Sequence, residues 1–382
     1  MQASRALPDS RRSREGGPAA VTRRARRVLP PGALVLVALA VVAAVVPTPA
    51  AWIERIYSRQ VYLALQNALT RLSGVVGFAW LDVLILAVAA GIAVWWWRAL
   101  RRARGERRAL WRAAGRQLAL TTALAAGLYL VFVLAWGLNY RRVPLKDKLD
   151  YEQARVAPAA VATVAAEAIE QVNRLYEPAA SRPWPELEAL PARLAPAFER
   201  IQRRLGAERT AVAGRPKATL LSIWFRRAGI DGMMNPFSLE VLVNDGLLPH
   251  ERPFVLAHEW AHLAGYANES EASFVGWLTC LAGDDQSRYS GWMFLLRHLL
   301  VHLSPEARVE HWQALEAGPL EDYRAVSARI GQANPAVSRG ARRVYDQFLR
   351  ANRVEAGIAS YGLVVDLVLG TDGTSLWRGL ER

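Results

Sequence analysis

Three long apolar runs near the N-terminus constrain the fold of this chain more than any other feature of its sequence. They cover about residues 29–51, 74–97 and 118–138, and each approaches the ~20 residues that a helix needs to cross a bilayer. Tryptophans such as Trp52 and Trp136 stand at the ends of the runs, as in the aromatic belt of membrane proteins. The sequence therefore predicts three transmembrane helices.

The positions of the arginines predict how these helices are oriented. The formal net charge is +14, an excess that can indicate a nucleic-acid partner. Eight arginines, however, lie within residues 1–28 and eight within 98–116, whereas the segment 52–73 holds three. Arginines beside apolar runs are the positive-inside signal. We therefore expect no nucleic acid, a cytoplasmic N-terminus in the bacterial inner membrane, and an external, periplasmic location for everything after about residue 139.

The N-terminal tail and the first apolar run each have one preferred interpretation. Residues 1–28 are rich in Arg, Ser and Gly without an apolar period, which predicts a disordered basic cytoplasmic tail. The small residues at 47–51 resemble a signal-peptide cleavage site. The long apolar core and the long preceding segment favour an uncleaved anchor instead.

Residues 139–382 contain no further run long enough to span a bilayer, and we expect them to form one external domain. Most of this part has helical periodicity, and two short apolar runs at 218–225 and 239–244 are predicted to be strands. A small sheet with packed helices gives an α+β, mostly helical fold class. The single cysteine, Cys280, excludes an intrachain disulfide and a cysteine-based zinc site.

The motif with the most chemical content is His258-Glu259-Trp260-Ala261-His262. Two histidines four residues apart share one face of a helix and can bind one ion. Zinc lowers the pKa of a bound water towards ~7, and a neighbouring carboxylate can accept its proton and pass it to a leaving amine. The motif therefore predicts a centre for one Zn²⁺ ion with Glu259 as the general base. The alternative is an ordinary helix with two surface histidines.

A catalytic zinc needs a third protein ligand and one open position. Gly265 is expected to end the motif helix, and Asn268 is expected to begin the next one, with Glu269 and Glu271 in its first turn. Glu271 would stand at the third helical position, where a Glu closes a capping box. Glu269 is therefore the preferred third ligand and Glu271 the alternative.

Three further features have both a functional and a structural interpretation. His298 and His302 are also four apart, but no carboxylate follows the first, so a leucine-rich helix is preferred over a second metal site. The strand 239–244, or the loop at 229–237 before it, can pair with a substrate backbone or simply form a turn between core strands. Tyr289 can donate to an oxyanion, although ordinary packing is preferred.

These motifs together resemble a family of uncharacterised bacterial membrane proteins that is classed as a domain of unknown function. The resemblance covers about residues 30–370 and depends on the three apolar runs and on the stretches WGLNYR at 136–141, NPF at 235–237, HEWAHLAG at 258–265, ESEASF at 269–274 and SYGLVVDL at 360–367. Members of that family are regarded as zinc metallopeptidases of unknown substrate. The resemblance therefore implies a zincin-like domain.

The stretch from Glu269 to Ser273 is similar to the Glu-x-x-Ala-Asp signature of gluzincins such as the membrane metallopeptidase HtpX. That similarity implies that Glu269 ligates zinc. In this chain Ser273 replaces the Asp, and the separation from the HExxH helix is shorter than usual.

The sequence thus predicts a membrane-anchored zinc endopeptidase that acts on periplasmic or envelope polypeptides. The alternative from another class is a non-catalytic envelope scaffold or sensor that keeps a zincin-like fold. An intramembrane protease is disfavoured, because polar residues stand on both sides of the motif helix, only about 15 residues apart.

Overall fold

A computed structural model describes residues 30–372 and 376–380 of the chain. The predicted basic tail at 1–28 lies outside these residues. The described part is mostly helical with one small sheet, which agrees with the α+β, mostly helical prediction.

Four apolar or partly apolar helices open the described chain: α1 (Pro31–Val45), α2 (Ala50–Gly74, π-helical at Ile53–Val61), α3 (Trp80–Arg102) and α4 (Arg107–Ala135). By length and composition α3 and α4 can each cross a membrane. The pair α1 and α2 passes the same test jointly but bends by 105° at the break between them. The described residues therefore hold two candidate spans, or three if the bent pair is one span.

The segment 52–73, which the sequence suggested was a loop between two spans, is instead the helix α2, and its buried face packs onto the domain that follows. The Tyr62 hydroxyl donates to the Leu263 carbonyl at 2.8 Å, and the Thr70 hydroxyl donates to the Leu239 carbonyl at 2.7 Å. Gln66 both donates to and accepts from the Val212 backbone. These buried hydrogen bonds attach α2 to the domain along more than two turns.

A three-stranded sheet forms the only strand structure among the described residues. Its strands are β1 (Pro216–Lys217), β2 (Gly232–Asn235) and β3 (Glu240–Val243), in the order β1-β3-β2, with β1 parallel and β2 antiparallel to β3. The strand prediction at 239–244 is confirmed by β3. The strand prediction at 218–225 is wrong, because that run leads into the helix α7 (Ser222–Ala228). Its buried residues Ser222, Phe225 and Ala228 recur every third position, a helical period that a short apolar run does not reveal.

The remaining helices, which include the motif helix α8, belong to the described part of the chain after α4. They are α5 (Pro158–Ala180), α6 (Leu190–Arg204), α8 (Arg252–Leu263), α9 (Glu269–Leu281), α10 (Asp285–His302), α11 (Pro305–Gln313), α12 (Ala317–Gly331), α13 (Pro335–Ala351) and α14 (Val364–Gly370). Helices α8 and α9 lie side by side at the centre, where Trp260, Trp277 and Trp292 are fully buried. One apolar core continues from these tryptophans into α2 and the end of α4, including Ile53 and Trp136.

Candidate metal centre

Helix α8 carries both motif histidines on one face. The ring centroids of His258 and His262 are 4.7 Å apart and the rings are nearly perpendicular, at 88°. The helix ends at Leu263, and Gly265 follows with a φ of +84°, which confirms that this glycine terminates the motif helix. A Cβ at Gly265 would stand 2.9 Å from Asn139 Oδ1, so glycine provides both the left-handed conformation and the space for the close approach.

Helix α9 brings Glu269 against the two histidines. The Asn268 side chain caps α9 by accepting the Ser270 backbone N–H at 3.0 Å, which confirms the predicted start. Glu269 Oε2 then lies 3.3 Å from His258 Nε2 and 3.4 Å from His262 Nε2. In a tetrahedral site with bonds of about 2.0–2.2 Å, ligand atoms stand roughly 3.3–3.6 Å apart. The spacing of these donors is therefore compatible with a single metal ion.

Both imidazoles are oriented through the ring nitrogen that faces away from Glu269. His258 Nδ1 is 3.2 Å from Ser273 Oγ, and His262 Nδ1 is 2.8 Å from the Tyr266 carbonyl. Such contacts fix the ring and leave the other nitrogen free for a metal. Ser273, which replaces the Asp of the gluzincin signature, thus contacts the first histidine. Among the described residues, His258, His262 and Glu269 are the one group of three or more potential ligands whose donor atoms all lie within 4.8 Å of one another.

Two tyrosines that sequence reasoning did not assign to the site contact Glu269. The Tyr345 hydroxyl on α13 donates to Glu269 Oε1, and Tyr361, in the 3₁₀ segment Gly357–Leu363, lies beside the same carboxylate. Burial, reinforced by the negative charge of Glu269, raises the pKa of both phenols well above the usual range. Both therefore remain protonated and can act as donors. Tyr361 belongs to the SYGLVVDL stretch, whereas Tyr345 stood in no motif.

The buried acid and imidazole act as a charge pair. Burial alone would lower the pKa of His262, but the adjacent Glu269 carboxylate raises it to about 9. Burial alone would likewise raise the pKa of Glu269, yet the two imidazoles hold it well below its usual range. The arrangement therefore favours a cation between these groups, either a proton or a metal ion.

Glu259 faces the edge strand of the sheet. The Met234 backbone N–H on β2 donates to its carboxylate, and burial raises its pKa against the effect of the two imidazoles. A Cβ at Gly232 would come within 2.7 Å of Glu259 Oε1, so glycine permits this approach. Glu259 Oε2 is buried and has no hydrogen-bond partner within residues 30–372 and 376–380. That oxygen, beside the three candidate ligands, is therefore free of protein partners among the described residues.

Both β2 and β3 pack against the motif helix α8. Strand β2 lies at an edge of the sheet, whereas β3 lies at its centre. The sequence had left open whether the strand at 239–244 or the loop before it faces a substrate. The glycine-rich stretch before Asn235 forms β2, and β2 packs against α8. Of the two edge strands, β1 and β2, it is β2 that supplies a backbone N–H to Glu259.

Glu271 has a different partner from the one expected. It does stand at the third position of α9, but its Oε1 accepts the Leu145 backbone N–H at 2.6 Å and no capping box with Asn268 forms. The carboxylate thus holds the segment that follows α4, because that segment passes directly over the start of α9. Glu271 is not part of the group of convergent ligand atoms.

The other residues that the sequence offered as candidate site residues have structural contacts or are exposed. The Tyr289 hydroxyl donates to Asp322 at 2.7 Å, and its ring packs against Trp184 and His250. His298 is oriented by the Phe294 carbonyl at 3.0 Å, and burial lowers its pKa to about 4. His302 is exposed at the end of α10. In the described part of the chain, these histidines join no group of three convergent ligands.

Comparison with known families identifies the chain without assigning a function. The model of a family described as "Protein of unknown function (DUF3810)" matches residues 57–369. The chain belongs to the DUF3810 family. The match begins inside α2 and ends in α14, so it includes the three candidate ligands, Glu259 and both tyrosines. No curated protein and no solved structure matches the chain.

Proposed function

We propose that this DUF3810 protein is a membrane-anchored zinc metallopeptidase that hydrolyses peptide bonds of periplasmic or envelope polypeptides. The observation that carries the proposal is the partnerless, buried Glu259 oxygen beside three convergent ligand atoms of His258, His262 and Glu269. A purely structural metal site needs no carboxylate base beside it. The positive-inside distribution of arginines supports an external location for this centre.

The residues of the site have separate roles in the proposed hydrolysis. A zinc ion on His258, His262 and Glu269 would supply Lewis-acid activation of the water and of the peptide carbonyl. Glu259 accepts a proton from the attacking water while the water oxygen forms a bond to the carbonyl carbon of the peptide. Glu259 then delivers that proton to the amide nitrogen as the C–N bond breaks. The raised pKa of Glu259 suits a group that must hold the proton between the two transfers.

The edge strand β2 offers a way to position an extended polypeptide. Strand β3 pairs with one side of β2. On the other side, the Glu259 carboxylate accepts the Met234 backbone N–H. A substrate backbone that lies along this free edge would pass the Glu259 carboxylate. Recognition through main-chain groups fits a peptidase that accepts many sequences in unfolded segments.

Glu259→Gln tests the proposal in the full-length protein. We expect the purified variant to retain zinc and lose cleavage of an unfolded polypeptide by at least about 10²-fold, since general acid–base catalysis contributes on that scale. Glu321→Gln, at an exposed position on α12, is the matched control and should cleave like the wild type.

Two results would count against the proposal. Zinc retention without any Glu259-dependent cleavage would favour the scaffold or sensor alternative. A cellular phenotype that survives Glu259→Gln but is lost when the whole chain is deleted would favour the same alternative.

A further inference from the structure

A basic cavity of about 370 Å³ lies between α3 and α4 at the end of the helical hairpin away from the metal centre. Its lining includes Arg98, Arg102, Arg116, Trp95 and Gln117. Gln117 is 18 residues before the end of α4, which corresponds to about 27 Å of helix. The cavity is therefore separate from the proposed catalytic site and stands where apolar helix gives way to charged sequence.

The three arginines of this cavity are exposed and available to bind an anion from outside the hairpin. Within residues 30–372 and 376–380, none of them forms an ion pair. The connection between the helices contains one acidic residue, Glu106, and it lies 3.7 Å from Arg112 instead. Three guanidinium groups around one cavity match the geometry of a phosphate, which accepts paired N–H donors.

The buried carbonyl oxygen of Gln117, which lines the cavity, requires a hydrogen-bond donor. Gln117 is only 3% exposed, and its Oε1 has no partner in the described part of the molecule. A buried carbonyl oxygen without a donor costs free energy. A bare phosphate diester has no proton to offer this oxygen, whereas a hydroxyl group next to the phosphate does. Trp95 adds an indole of the kind that lies at the headgroup level of bilayers.

We propose that this cavity binds the headgroup of an anionic glycerophospholipid. Its phosphate lies among Arg98, Arg102 and Arg116, and a headgroup hydroxyl donates to Gln117 Oε1. The acyl chains extend along the apolar surfaces of α3 and α4, which are candidate membrane spans. Basic pockets between transmembrane helices are known to bind such headgroups. Free glycerol phosphate shares the polar chemistry but lacks the chains.

Lipid binding to the intact protein tests the assignment. Detergent-solubilised full-length protein is titrated with phosphatidylglycerol, phosphatidylcholine, phosphatidylethanol and glycerol 3-phosphate, and bound species are counted by native mass spectrometry. Phosphatidylglycerol should bind at least about tenfold more tightly than phosphatidylcholine, because the choline cation is repelled by the three guanidinium groups and offers no hydroxyl to Gln117 Oε1. Glycerol 3-phosphate that binds as tightly as the lipid would overturn the proposal and assign the cavity to a soluble phosphate.

Two matched arginine variants distinguish lipid binding in this cavity from a general effect of the positive surface charge. The triple variant Arg98→Gln, Arg102→Gln, Arg116→Gln should lose at least about tenfold in phosphatidylglycerol affinity. The control triple variant Arg104→Gln, Arg107→Gln, Arg108→Gln removes the same charge from exposed positions of the same connection that do not line the cavity. Its affinity should stay within about twofold of wild type. Equal losses in both variants would overturn the proposal.

Gln117→Leu tests the hydroxyl contact without changing charge. The variant should reduce the preference for phosphatidylglycerol over phosphatidylethanol, an anionic diester with no headgroup hydroxyl, by about fivefold, as expected for one hydrogen bond. An unchanged preference would contradict the assigned orientation of the headgroup. Arg116→Lys provides a check that does not depend on the triple variant's folding: it retains charge but loses the guanidinium fork, and it should weaken binding.

Discussion

At the residue scale, the metal centre combines a local motif with distant support. The spacing of His258 and His262 was readable from the sequence, because residues four apart share a helix face. Glu269 was readable as well, because a glycine and an N-cap asparagine set its distance from the motif. The hydrogen-bond donor to Glu269 could not be predicted from the sequence, because Tyr345 is 76 residues away and only tertiary packing brings its hydroxyl to the carboxylate.

Tyr345→Phe should weaken zinc binding without unfolding the protein. The variant removes the hydroxyl that donates to Glu269 Oε1, and partners of metal ligands typically change affinity by about 10–100-fold. Competition with a zinc chelator measures the affinity. Tyr323→Phe on α12 is the control, since it removes a phenol hydroxyl away from the ligands, and it should not change zinc binding. Equal affinities in both variants would show that Tyr345 does not position Glu269.

Zinc affinity should fall as the pH falls through neutrality. The pKa of His262 is raised to about 9 by Glu269, so below that pH zinc must displace a proton from the imidazole. The apparent affinity should therefore drop by roughly tenfold for each pH unit between 8 and 6 for this one proton. The same chelator competition at fixed ionic strength measures the slope. A flat profile over that range would contradict the charge pair.

At the element scale, a buried ion pair joins the sheet to a membrane helix. Glu240 on β3 accepts the backbone N–H groups of Trp80 at 3.0 Å and Leu81 at 2.8 Å, which are the first residues of α3. Lys217 on β1 donates to Glu240 and to the Ser73 carbonyl at the end of α2. Burial would raise the pKa of Glu240, but these hydrogen bonds outweigh it and lower the pKa. The contact therefore fixes the start of α3 against the domain.

Lys217→Met should destabilise the protein strongly. Both side chains of the pair are 1% exposed, and removal of one partner leaves a buried charge uncompensated, which costs about 3–5 kcal/mol. Thermal unfolding in detergent provides the comparison. Glu199→Gln breaks the exposed Arg203–Glu199 pair on α6 and should cost less than about 1 kcal/mol. Similar unfolding temperatures for the two variants would argue against a structural role for the buried pair.

The secondary structure could be predicted only where its period was unambiguous. The two long apolar helices α3 and α4 and the motif helix were foreseen, because many residues repeat the same pattern. The first predicted span, 29–51, is instead the shorter helix α1, which breaks at a 105° bend before α2. Helix α2 was missed because its buried face contains polar residues such as Gln66 and Thr70, whose partners lie in a part of the chain more than 140 residues away. Helix α7 was missed because seven residues give too few repeats to distinguish a helix from a strand.

At the scale of the whole molecule, the part of the chain that contains the candidate metal centre packs against the candidate membrane helices and also follows them in sequence. The Trp136 indole, just after α4, donates to the His262 carbonyl at 3.0 Å. Arg141 donates to the Ala43 carbonyl, and Arg353 donates to the Val46 carbonyl at 3.0 Å, both at the end of α1. The sequence suggested one tethered domain from residue 139 onwards. These contacts imply that α2 and the end of α4 also stabilise it.

A fragment containing residues 139–382 alone should therefore fold poorly. It lacks Ile53, Tyr62 and Trp136, which belong to the same apolar core as the motif helix, and it loses the hydrogen bonds to the carbonyls of His262 and Leu263. We expect aggregation, or a much lower unfolding temperature than that of the full chain in detergent. A monomeric fragment that unfolds at the temperature of the full chain would contradict the importance of these contacts.

Zinc K-edge X-ray absorption spectroscopy of the intact, detergent-extracted protein would show whether His258, His262 and Glu269 bind a zinc ion. We expect one tightly held zinc per chain with two imidazole nitrogens at about 2.0–2.1 Å and a carboxylate oxygen at about 2.0–2.2 Å. The imidazole signal should disappear in the double variant His258→Ala, His262→Ala. A protein that retains no zinc under zinc-replete conditions, or a spectrum without imidazole scattering, would contradict this expectation.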